Sequence, residues 1–156
     1  MTAHRNRVVV LHGVNLDMLG KRDPGIYGTF SLPELETQVK RWARELDLEA
    51  TFFQTNHEGE FCEYLHRLPE RADAAVINAG AWTHYSWAIR DALEVAKFPA
   101  VEVHISDLGS REDWRAISVF DGLVVAKISG EGLDGYKRAL EVLHRELDLG
   151  DRPRSS

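Results

Sequence analysis

A single cysteine, Cys62, occurs in the 156 residues, so no disulfide can form within the chain. That fits a reducing compartment and makes the cytoplasm the expected location. No stretch of about 18 apolar residues occurs, so no membrane span is expected. The apolar run in the opening MTAHRNRVVVLHG is too short for a signal peptide. Basic residues are also few: 19 Lys and Arg against 25 Asp and Glu give a formal net charge of −6. Without a clustered basic stripe, a nucleic-acid backbone is not an expected partner. A small anion is compatible, because Arg22, Arg90, Arg111 and Arg115 recur near the segments that carry the chemistry.

Several motifs are missing as well. HGVNLDMLG, after the first strand-like run, contains neither G-x-G-x-x-G nor a Walker sequence, which argues against a nucleotide or flavin phosphate cradle. A phospho-receiver would carry an aspartate where the third strand ends in Asn78. His57, His66 and His144 lack the ligand spacing of a zinc site, so no metal is expected. Cys62 falls on a helix face with no histidine paired to it in sequence, the pattern of an inert thiol.

Short apolar runs alternate with segments of helical period, the mark of an α/β fold with a parallel sheet. The strands are expected at Val8–Leu11, Ala50–Gln54, Ala74–Asn78, Ala100–Ile105 and Leu123–Ile128. Ser31 and Glu34 form an S-x-x-E capping box that opens a helix with Leu32, Leu35, Val39, Trp42 and Leu46 on one face. Further helices are expected over about Glu58–Leu68, with Phe61, Leu65 and Leu68 inward, and over Ser86–Ala96. A short helical piece lies near Arg111–Arg115, and a last helix turns Tyr136, Leu140, Leu143 and Leu147 inward. With no repeat and no linker, residues 1–149 read as one domain and 150–156 as a disordered tail. The reading is a flavodoxin-like, doubly wound, three-layered domain with strand order 2-1-3-4-5.

In that topology a ligand binds beyond the carboxyl ends of the strands, where the order switches between the first and the third. The segments that end there carry Asn15, Arg22 and Tyr27, then Asn78, Thr83 and His84, then Glu102, His104 and Ser106. Arg22 and Tyr27 are five apart. An ordinary tyrosine, of pKa about 10, is ionised at roughly one part in a thousand at pH 7. A guanidinium at about 4 Å and an effective dielectric near 20 contributes about 4 kcal/mol of attraction to a phenolate before desolvation. Glu102 and His104, two apart on a strand, share a face, so the carboxylate can orient the imidazole as a general acid. Taken singly, each residue has a structural reading: a tyrosine before glycine packs a turn, a strand-end histidine is hydrogen-bonded, and Asn78 caps a turn. Convergence of the three loops on one crevice favours proton abstraction coupled to an acid.

The same segments resemble those of the type II 3-dehydroquinate dehydratases over nearly the whole chain before the tail. HGVNLDMLGKRDPGIYG from His12 is similar to NGPNLNLLGxREPxxYG, and FFQTNHEGEF from Phe52 to FxQSNxEGEL. INAGAWTHYSWAIRDAL from Ile77 resembles INPGAYTHTSVALRDAL, VEVHISDLGSREDWRAIS from Val101 resembles VEVHLSNIHAREEFRHHS, and ISGEGLDGYKRAL from Ile128 resembles ISGxGxxGYxxAL.

The resemblance implies a cofactor-free hydro-lyase that converts 3-dehydroquinate to 3-dehydroshikimate through an enolate. It implies Tyr27 as base, Arg22 as the residue favouring its phenolate, His104 as acid, Glu102 as its orienter, and Asn15 as enolate stabiliser through a water. It also implies Asn78, His84, Ile105, Ser106 and Arg115 as substrate-binding, Arg115 facing the substrate carboxylate. Asp91 would reach a neighbouring subunit's site within a trimer, four of which form a dodecamer. Alternative readings are a weakened homologue that binds a related carboxylate, and the same reaction in quinate breakdown. Departures from the family pattern are His12, Val14, Asp107, Gly109, Ala116, Ile117, Lys127 and Glu131; among them Asp107 would add negative charge beside Ser106.

Overall fold

Short β-branched and apolar runs become five parallel strands: β1 (Arg7–His12), β2 (Glu49–Gln54), β3 (Ala74–Asn78), β4 (Ala100–His104) and β5 (Ala126–Ser129). The computed structural model describes residues 5–151, and side chains up to residue 148. Strand order is β2-β1-β3-β4-β5, as expected from the sequence. β1 is buried on both faces. Val8 and Val10 point into one core and Val9 and Leu11 into the other, all without exposure. Burying such a side chain is worth about 1.5–3 kcal/mol, which favours β1 at the middle of the sheet.

The helices are α1 (Pro24–Tyr27), α2 (Leu32–Glu45), α3 (Glu58–His66), α4 (Leu68–Arg71), α5 (Trp87–Ala96) and α6 (Asp134–Asp151). The layers follow from which face each helix buries. Leu35, Val39 and Ala43 of α2 join Tyr136, Leu140, Leu143 and Leu147 of α6 on one side of the sheet. Phe61 and Leu65 of α3 join Ile89 and Leu93 of α5 on the other. The capping box is present: Ser31 Oγ accepts from the Glu34 N–H and donates to its Oε1. No helix of the described residues is long and apolar enough to cross a membrane.

Beyond one-residue shifts at strand ends, three boundaries differ from the sequence reading. The second helix breaks after His66 and restarts at Leu68, because Pro69 has no N–H to continue the bond ladder. The fifth strand begins at Ala126 rather than Leu123: the Leu123 and Val124 N–H groups bond back to the Phe120 carbonyl in a turn, and both side chains pack on the core from there. The last helix continues through Gly150 to Asp151, and residues 152–156 of the expected tail lie outside the described residues.

At the switch point the loops after β1 and β3 touch backbone to backbone. The Gly13 N–H donates to the Asn78 carbonyl at 2.8 Å, and a Cβ on Gly13 would fall 2.3 Å from the Ala79 oxygen. Gly80, at φ +64°, faces Val14 in the same way, with 2.5 Å between a hypothetical Cβ and the Val14 oxygen. Only glycine permits this approach. It brings the β1 and β3 loops to one rim of the crevice.

Candidate active site

A cavity of about 110 Å³ opens at the carboxyl ends of β1, β3 and β4. Nine residues singled out from the sequence line it: Asn15, Arg22, Tyr27, Asn78, His84, His104, Ile105, Ser106 and Arg115. Glu102 lies behind His104, fully buried. Asp91 does not line this cavity; it is exposed on α5, in a surface depression shared with Trp87, Arg90 and Glu94.

Tyr27 closes the one-turn helix α1, which Asp23 caps by accepting from the Gly25 N–H and which begins at Pro24. Its hydroxyl accepts from Arg22 Nη2 at 2.7 Å and from Arg111 Nη1 at 2.8 Å. The Arg22 guanidinium also lies over the ring, 3.8 Å from its centroid. Two cations therefore converge on one oxygen, an arrangement that stabilises negative charge there. Arg111 Nη1 also donates to Ser106 Oγ at 3.2 Å, tying the tyrosine to the loop after β4. In the sequence Arg111 counted only as one of four arginines available to an anion. The one signal that could have placed it was its position in the loop that follows the Glu102–His104 strand.

Glu102 and His104 share the face of β4 opposite Val101 and Val103. His104 Nε2 donates to Glu102 Oε2 at 2.5 Å, which fixes the tautomer and leaves Nδ1 for other partners. The other carboxylate oxygen accepts from Ser118 Oγ at 2.8 Å, so both lobes of the buried carboxylate are satisfied. Ser118 had no mark in the sequence reading; it comes from the loop between the Asp113–Ala116 turn and β5, which nothing local ties to β4.

His84 donates from Nδ1 to the Ile117 carbonyl at 2.6 Å and stacks near His104, ring centroids 6.1 Å apart. Burial holds its pKa below the ordinary histidine value, with the backbone hydrogen bond opposing. With Nδ1 donating, Nε2 is the ring nitrogen left for other partners. Arg115 pairs with the exposed carboxylate of Glu112 and packs over the Trp114 ring.

Asn78 is held from behind. Its Nδ2 donates to the Tyr136 hydroxyl at 3.1 Å, its Oδ1 accepts from the Gly80 N–H, and the same hydroxyl meets His12 Nε2 at 2.9 Å. His12 is fully buried, and desolvation pushes its pKa down to about 3. Burial likewise raises the Tyr136 pKa. Both are neutral, a polar pair supporting Asn78.

The other departures from the family pattern sit around the cavity rather than in it, Val14 excepted, which lines it. The Asp107 carboxylate accepts from the Gly109 N–H and caps the turn Leu108–Ser110, outside the cavity lining. Ile117 contributes its carbonyl to His84, Lys127 pairs with Asp121, and Glu131 pairs with Arg138. Cys62 is half-buried on α3, and burial together with Glu58 and Glu63 raises its thiol pKa, the opposite of what a nucleophile needs.

Comparisons with known proteins identify relatives in sequence and in structure. Residues 6–144 match the family model described as "Dehydroquinase class II". The 3-dehydroquinate dehydratase of Syntrophotalea carbinolica is 52% identical over 135 residues, covering 86% of this chain and 91% of that protein. That of Thermotoga petrophila is 51% identical over 142 residues, covering 91% and 97%. The crystal structure of the type II dehydroquinase from Propionibacterium acnes superposes with a TM-score of 0.85 at 39% identity, covering 92% of this chain and 99% of that one.

Proposed function

The chain belongs to the class II dehydroquinase family and dehydrates 3-dehydroquinate to 3-dehydroshikimate, and we propose that the cavity bounded by Tyr27 and His104 is where it does so. The observation that carries this placement is the pairing of opposite functions in one crevice. A tyrosine oxygen held by two guanidinium groups and an imidazole held by a buried carboxylate line the same cavity.

Tyr27, as phenolate, removes the proton from the carbon next to the substrate ketone. The electron pair moves onto the ketone oxygen as an enolate. Asn15, through a bound water, offers a donor where that charge develops. The enolate then collapses, a carbon–carbon double bond forms, and the carbon–oxygen bond to the leaving hydroxyl breaks. His104 supplies the proton that lets it depart as water, since hydroxide alone leaves poorly. Tyr27 ends protonated and His104 deprotonated, so exchange with solvent resets both. Asn78, His84, Ser106 and the Ile105 backbone hold the polar groups of the substrate. Arg115 exchanges its surface partner Glu112 for the substrate carboxylate.

The working form is a trimer in which Asp91 completes a neighbour's cavity, and four trimers make a dodecamer. Support comes from Asp91 standing outside its own cavity, in a depression shared with Trp87, which is 64% exposed, on a helix preceded by Tyr85, which is 58% exposed. A soluble monomer has little reason to leave two large aromatic rings so close in sequence exposed to water.

Purified protein incubated with 3-dehydroquinate should develop the absorbance of the conjugated enone. No signal at high enzyme concentration would leave a binding protein in the same fold. Light scattering on the active protein checks the assembly, and an active monomer would refute it.

A further inference from the structure

Asn15 has φ 69° and ψ 4°, a left-handed conformation that a residue with a side chain adopts at a cost unless its surroundings hold it. Its side-chain amide makes no hydrogen bond to another described residue, and Asn15 lines the cavity. Its backbone is pinned. The Asn15 N–H donates to Asn56 Oδ1 at 2.8 Å. Parallel pairing of β1 with β2, His12 opposite Gln54, carries the two chains forward side by side so that residue 56 meets residue 15.

The Asn56 amide has only one productive orientation. Its Nδ2 donates to Asp17 Oδ2 at 3.1 Å, and a carboxylate can only accept, so Oδ1 must face the other way, towards the Asn15 N–H. Gln54 Nε2 reinforces this, 3.2 Å from Asn56 Oδ1 and 3.3 Å from the Gly13 carbonyl. Three side chains from two segments thus fix one strained backbone unit at the cavity rim.

We infer that Asn56 is a positioning residue for the dehydration: its amide, oriented by Asp17 and Gln54, holds the backbone of Asn15 so that the Asn15 side chain presents to the developing enolate. Asn56 acts through Asn15 and does not touch substrate. This rests on the reading of Asn15 as the enolate-stabilising residue.

The test is a cycle of variants in the intact assembly. Asn56→Ala should lower kcat about tenfold, equivalent to about 1.4 kcal/mol, while KM changes by less than about twofold, the signature of an interaction made in the transition state. Asn56→Asp sets a carboxylate against Asp17 and should be as slow. Adding Asp17→Asn to it restores one acceptor for the Asn15 N–H and one donor from residue 17, and should return most of kcat. A general loss of folding would not be repaired in kcat alone.

In an Asn15→Ala background, Asn56→Ala should cause no further fall. The inference is overturned if Asn56→Ala keeps the parent kcat, if its loss multiplies fully with that of Asn15→Ala, or if the exchanged pair fails to recover. If Asn15→Ala itself turns over at the parent rate, the reading of Asn15 falls and takes the inference with it. A slow Asn15→Ala beside a fast Asn56→Ala removes the inference alone.

Discussion

Arg111 Nη1 lies 2.8 Å from the Tyr27 hydroxyl, and the two residues are 84 positions apart in the chain. With Arg22 Nη2 at 2.7 Å on the same oxygen, the phenol is held from both sides of the cavity. Tyr27→Phe removes the proposed base and should lower kcat by about 10²–10⁴, the usual contribution of a positioned proton acceptor. Circular dichroism and the thermal midpoint should stay unchanged, because the ring still packs against its neighbours. Full turnover in this variant would refute the assignment. Arg22→Ala and Arg111→Ala should each slow the reaction, and Arg111→Lys should keep part of the rate, as a point charge without the guanidinium fork.

The proposed acid, His104, is held by the buried carboxylate of Glu102. Glu102→Gln removes the charge that faces His104 and offers an amide that can present either an oxygen or a donor to it, so the imidazole loses its fixed tautomer. A fall in kcat/KM of about two orders of magnitude is expected, measured with the enone assay. Ser118→Ala leaves one lobe of the carboxylate unsatisfied and should cost about 1 kcal/mol of stability, read from a urea melt.

Stability should depend on pH through His12. Its folded-state pKa, pushed down to about 3, lies below the ordinary 6.5 of an exposed imidazole. The unfolded chain therefore binds a proton that the folded chain refuses as pH falls below about 6.5. Stability contributed by neutral His12 is present above that value and is lost progressively down to about 3, by about 1.4 kcal/mol for each pH unit within the window. His12→Asn, the residue usual in the family, should flatten the difference between urea melts at pH 7 and pH 5. An unchanged slope would place the pH dependence elsewhere.

Gly13→Ala tests the close approach at the switch point. The new methyl would meet the Ala79 backbone oxygen at 2.3 Å, so the β1 and β3 loops must separate. Overpacking of this kind costs about 1–3 kcal/mol. Because Asn15 and Asn78 sit on those two loops, a loss of activity should accompany the lower thermal midpoint.

Much of the fold was legible locally because it rests on patterns that need no partner. The short apolar runs at Val8–Leu11 and Ala74–Asn78 read as strands, the second buried on both faces, and Ser31 with Glu34 reads as a helix start. The misplaced boundaries have local causes that compete with apolar pattern: Pro69 ends a bond ladder, and the turn at Gly122 takes Leu123 and Val124 out of extended conformation. Of the site, seven lining residues were legible because strand order says which loops meet, and Ile105 and Arg115 were indicated by the family resemblance.

What the sequence by itself determined is therefore the architecture, the crevice and the near neighbours within it: Arg22 beside Tyr27, and Glu102 beside His104, five and two residues apart, where spacing on a turn or strand dictates contact. Tertiary structure alone decided the partners that arrive from afar. Arg111 on Tyr27, Ser118 on Glu102, Tyr136 on Asn78 and Asn56 on Asn15 each join segments whose side-chain contacts no periodicity encodes. Their meeting depends on how the loops pack once the sheet has formed. The pairs proposed to carry the chemistry are thus written locally, and the groups that hold them in place are assembled by the fold.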